Sequence, residues 1–379
     1  MGWLTGWKYR KSHIINSASD AGQNYQIRIT VHYGSGDDNG EDVYLNTKCK
    51  PDFGDIRFTS DDGSALLSSW REKKIDSDYA IFWVKIADNL SSKDVTIYIY
   101  YGKEDATYPY LSSDQEHGEA TFVFFDNFED NNFDDEKWQT WGNGGNVNEE
   151  NGKLIVTSGK WANENRFVAT KNIFPVPLAL EAKVRRGNEY HEVCFGMCSH
   201  DQINNNNIIN KFYSAPFDVR PDSDKISYIN GNDVNATIGH YSFDEDTEPH
   251  RVTLIRMGTD YDKFFCDGEE KSVGHTTSVD RHIFAFAERY HGQSIIELDW
   301  VAVRKYAEPE PSHGTWGSEQ GFFVFSEILS LTTSLEITLS KTLVGVFLAR
   351  VLLGINYVRT LKRKFLARIE EQEKGLRTK

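Results

Sequence analysis

A chain of 379 residues has room for two to three domains of about 150 residues each, and 39% hydrophobic with 13% aromatic residues is enough to fill their cores. The formal net charge of −15 excludes a nucleic-acid partner, because no basic stripe stands ready to neutralise phosphates before the C-terminal region. Four cysteines, Cys49, Cys194, Cys198 and Cys266, are too few and too scattered for a disulfide framework.

Residues 1–118 read as strands throughout. The start, Met1 to Lys11, has no apolar h-region and runs straight into charged residues, so no cleavable secretion signal is expected. Residues 25–33 alternate apolar and polar side chains, as do 81–86 and 95–101, and polar turn clusters at 34–40 and 61–63 separate them. That spacing predicts an antiparallel sandwich with one wet face. Trp7-Lys-Tyr-Arg-Lys11, Asn24-Tyr25, Asp52 to Ser60, Trp83-Val-Lys85 and Ile97 to Gly102 follow one another in order. Over about 105 residues this series resembles the domain of unknown function 2341 family. The resemblance implies a surface setting, a concanavalin-like module directly after it, and no known chemistry.

Residues 119–311 open on Phe122-Val-Phe-Phe-Asp-Asn-Phe-Glu-Asp130 and close on Ile296 to Tyr306. Between them, 251–256 and 261–266 are alternating runs around a polar turn, and Asp267-Gly268 gives a second turn of the kind that closes two-residue hairpins. Gly152 to Thr157 reads as a strand after an Asn-Gly turn. These features resemble the concanavalin A-like, laminin-G-like β-sandwich, which implies that the first and last strands are neighbours. The fold class expected is therefore all-β, two antiparallel jelly-roll sandwiches (1–118 and 119–311), with a C-terminal helical tail. On one strand, Cys194 and Cys198 would lie about 13 Å apart at about 3.3 Å per residue. That exceeds the roughly 4.4–6.8 Å of a disulfide. His191 and His200 are close in sequence, but buried sheet cysteines are the simpler reading.

Pro309 and Pro311 act as punctuation and make 312–321 a linker. Residues 322–379 then change character. The stretch 343–358 is mostly apolar but carries Arg350, and Arg359, Lys362, Arg363, Lys364 and Arg368 follow it. A spanning helix needs about 20 apolar residues, so an amphipathic helix for homo-oligomerisation or docking ranks ahead of a membrane contact through 343–358.

A retaining glycoside hydrolase needs two carboxyl groups about 5.5 Å apart. The related sandwich hydrolases carry a Glu-x-Asp-x-Glu strand, whereas here Glu297 and Asp299 are followed by Val301. No phosphate loop, nucleophile elbow or His-Glu-x-x-His occurs either. The expectation is a protein that is not an enzyme: a surface binding or adhesion protein with glycans as the leading ligand. A viral or phage-like tail component is the first alternative and a glycoside hydrolase, for which no carboxylate pair is found, the next; a cell surface or a virion is the setting. The resemblance implies a structural calcium bridging first and last strands, at Asp126 and Asp299. Trp141, in a Gly-rich loop, and Trp161 are the candidate sugar-stacking rings. Sequons at Asn89 and Asn235 weakly favour an outside location, and 204–207 is a polar loop.

Overall fold

Ile27, Ile29 and Val31 fall on one face of Tyr25–His32 because side chains alternate along a strand, and all three are buried in the computed structural model. The structure describes residues 2–322 apart from 162–163, 189–192, 200–212, 220–224, 232–236, 259–260, 275–280 and 289–291. The expectations for His191, His200, Asn235, the 204–207 loop and the segment 323–379, with its apolar run 343–358, lie outside these residues. Among the described residues no helix is long and apolar enough to cross a membrane.

The first sandwich packs a four-stranded sheet, Asp42–Tyr44, Tyr25–His32, Tyr79–Ile86 and Ser69–Ile75, against a five-stranded one. The second sheet runs Ser312–Trp316, Tyr9–Asn16, Val95–Tyr101 and Arg57–Thr59, with Gln320–Gly321 also on Tyr9–Asn16. Ile27, Phe58, Phe82, Val84, Ile97 and Ile99 meet between them. Each such side chain contributes about 1.5–3 kcal/mol on burial.

Here the linker expectation is corrected. Residues 312–321 return to the first sandwich, where Ile15 faces His313, Asn16 faces Ser312 and Tyr9 faces Gly321. His13 fixes this return. Its ring stacks 3.7 Å from Trp316, and its Nε2 lies 2.9 Å from His313 Nδ1.

The second sandwich has an eight-stranded and a seven-stranded sheet among the described residues. Its central strand, Ile295–Lys305, takes Phe124–Asp126 on one side, so the first and last strands are neighbours as the resemblance implied. Asp267 and Gly268, at φ 48° and 87°, turn the strand Tyr261–Cys266 into Glu269–Gly274 with Cys266 opposite Glu269. Two positive φ values in succession are the signature of the type I′ turn. None of the four cysteines forms a disulfide.

One helix, Asp114–Thr121, crosses the boundary expected at 118. Ser113 caps it by accepting from Glu116 N, while Glu116 accepts from Ser112 N. His117 anchors it to the first sandwich, its Nδ1 2.9 Å from Ser69 O. The two sandwiches share a buried aromatic layer, in which Trp70 meets Phe125 and Trp300 edge-on at 4.7 and 5.2 Å.

Candidate functional site

Residues 144–146, 159–161 and Glu164 line a cavity of about 440 Å³. Gly145 must be glycine, since its φ is 72° and a Cβ there would come within 1.9 Å of Thr157 O. Arg166 holds the first loop through Gly144 O and Gly145 O, both at 3.0 Å. Glu164 shapes the second by accepting from Trp161 N at 2.9 Å. Trp161 is 74% exposed and lines this cavity with Asn146, Lys160, Glu164 and Gln293. An exposed indole beside amide, ammonium and carboxylate groups offers one flat apolar surface and several hydrogen-bonding partners.

Trp141 is placed differently. Rather than standing in a loop, it ends the strand Trp138–Trp141, opposite Phe167, and packs half-buried beside Ala169, Phe284 and Phe286. It does not line the Trp161 cavity.

Asp126 and Asp299 are not brought together. A bulge opposite Lys183 and Val184 puts Asp299 beside Trp300, so Leu298 and Val301 both stay in the core while Trp300 and Ala302 face the junction. Asp299 turns to Lys183 at 2.6 Å. Asp126, opposite Val301, accepts instead from the buried Trp138 Nε1 at 2.8 Å. Glu297 is held by Lys153 and Arg185 and lies below the usual carboxylate range: burial opposes this, but the two cations outweigh it.

Sequence reasoning missed two charged sites. A cleft of about 1130 Å³ between the sandwiches is walled by a continuous ion-pair network. Glu181 accepts from Arg251 at 2.9 Å and Arg304 at 2.8 Å. Arg251 also reaches Glu72 at 2.9 Å, and Arg304 reaches Glu310 at 2.6 Å. Burial pushes the Glu181 carboxyl up, but Arg251 and Arg304 outweigh it and hold the group below its usual value. The second site is Glu149, buried by the 126–132 loop. Burial, then the Asp130 and Asp126 carboxylates, push it up to about 8.

A ring nitrogen of His250, Cys266 Sγ and an Asp267 carboxylate oxygen lie within 4.8 Å of one another, as a metal site would require. Both imidazole nitrogens are already engaged, Nδ1 by Asp267 at 2.7 Å and Nε2 by Asp246 at 3.0 Å. Burial pushes the Cys266 thiol well above its ordinary range, so the thiolate a metal needs is disfavoured.

Residues 52–141 match the Domain of unknown function (DUF2341). The matched stretch starts and ends later than the 1–105 read from the motifs, sharing 52–105 with them. No curated protein matches the chain. Solved structures do. One comes from work on endo-acting O-glycanases of the human gut microbiota that initiate mucin breakdown (16% identity, TM-score 0.40, covering 49% of this chain and 100% of that one). A prokaryotic β-1,3-1,4-glucanase from a mouse hindgut metagenome is 15% identical (TM-score 0.38, 48% and 98% covered). The endo-β-1,3-glucanase of Pyrococcus furiosus is 13% identical (TM-score 0.40, 49% and 95%). These neighbours are glycoside hydrolases, so the expectation that the protein is not an enzyme is corrected. At such identity they transfer no catalytic residue to this chain.

Proposed function

We propose that the protein binds a glycan at the Trp161 cavity. The observation that carries this reading is the 74% exposure of Trp161 at the mouth of a polar cavity on the loops of a rigid sandwich. A sugar ring has a face of C–H groups and a rim of hydroxyls. The indole suits the face, and Asn146, Glu164 and Gln293 suit the rim. A large ring left in water is the kind of exposed apolar surface that marks a binding site when polar groups surround it.

The test is a glycan array on the full chain, followed by titration of any hit against wild type and Trp161→Ala. Binding at least tenfold weaker in the variant, about 1.4 kcal/mol, is the expected result. An unchanged profile for Trp161→Ala would overturn the reading. Assaying the same glycans for new reducing ends tells binding alone from binding with hydrolysis.

A further inference from the structure

His13, in the strand Tyr9–Asn16, is fully buried. Its ring lies 3.7 Å from that of Trp316, and its Nε2 2.9 Å from His313 Nδ1. Two neutral imidazoles can make such a bond, one donating and the other accepting. The other nitrogen of His13, Nδ1, is buried without a hydrogen-bond partner. A proton there puts a charge in a dry place. A further proton on His313 turns both facing nitrogens into donors, and their bond is lost.

The charged groups packed around the pair are already matched. On the same strand and face, Lys11 meets Asp38 at 2.6 Å. Glu41 pairs with Arg28 of Tyr25–His32, and Asp42 with His32 at 2.7 Å. Val95–Tyr101, on the other side of the strand, puts Ile97 opposite His13 and carries no charged residue. At the far end of the ladder Glu319 takes Lys48 and the Tyr101 hydroxyl. Burial, and then His313, bring His13 down to about 3 against the Thr315 backbone. Burial lowers His313 as well, although Glu41 and Asp42 oppose it. The remaining hold beside the pair is slight: Trp316 Nε1 donates to Gly40 O at 3.0 Å, and Gly317 N to Ser12 O at 2.8 Å.

We propose that the return of 312–321 onto Tyr9–Asn16 is an acid-released clasp, closed while His13 and His313 are neutral and opened when they take up protons. Tyr79–Ile86 and its sheet stay folded. The open ladder binds these protons near the ordinary imidazole value of 6.5, and the closed one only below it. The closed form therefore loses stability as pH falls from 6.5 towards 3. This inference is independent of the glycan reading.

The experiment is hydrogen exchange of the full chain at about pH 7 and about pH 4.5, corrected for the intrinsic rate. It is read on peptides covering 9–16 and 312–321, with 79–86 as the reference. Protection of the first two is expected to fall at least roughly tenfold in acid relative to the reference. His13→Phe, which keeps a ring against Trp316, should shrink that fall at least roughly threefold. If that variant does not fold, His313→Gln, on the edge strand and still able to hydrogen-bond, carries the same expectation. Equal protection at both pH values, an equal loss in 79–86, or variants with the wild-type response would overturn the proposal.

Discussion

The junction between the sandwiches and the 126–149 region each bury a glutamate, and they do opposite things to it. At the junction Glu181 is enclosed by Arg251 and Arg304, with Thr253 Oγ1 donating at 2.6 Å, and its carboxyl stays ionised. Glu149 meets Asp130 and Asp126, and its carboxyl holds a proton up to about pH 8. Burial disfavours the charged form in both places, so the sign of the neighbours decides the outcome. One region is an ion pair that joins the two sandwiches, and in the other a proton stands where a cationic partner would.

The largest expected effect comes from breaking the finished pair. Glu181→Ala leaves two arginines facing each other in a buried layer and should cost about 3–5 kcal/mol, read from the urea unfolding midpoint. A loss below about 1 kcal/mol would show that water already screens the network.

The second expectation concerns pH. Glu149 is protonated in the folded state up to about 8 and ionised in the unfolded chain above 4.5. The folded state therefore binds more protons between those values, and stability falls as pH rises through this window. The steepest slope is about 1.4 kcal/mol per pH unit for one proton. His250, whose value is raised by Asp267 and Asp246 against the effect of burial, slopes the same way. The difference between wild type and Glu149→Gln isolates the glutamate, and identical pH profiles would remove it from the account. The smallest effect belongs to a side chain in neither region: Trp161→Ala should shift unfolding by no more than about 0.5 kcal/mol.

Much of the scaffold was readable from residue patterns. Alternation located Tyr25–His32 and Val95–Tyr101, and Asp267-Gly268 located a hairpin, because these signals are local. The return of 312–321 was not, since its prolines and glycines look like punctuation and its partner strand lies some 300 residues away. The helix left a readable trace, Ser113 three residues before Glu116, which is a capping signature. At the candidate site, Trp161 was legible as a loop aromatic. Glu149-Glu150-Asn151-Gly152 reads as a solvated turn, and only the folding of the 126–132 loop over it makes the first glutamate a buried one.

The pairing of Tyr9–Asn16 with Ser312–Trp316 and Gln320–Gly321 has a mechanical consequence. Tyr9 and Gly321 sit face to face, so tension applied between them peels that ladder open from its end. The second sandwich lies outside the load path until Asn16 and Ser312 have parted.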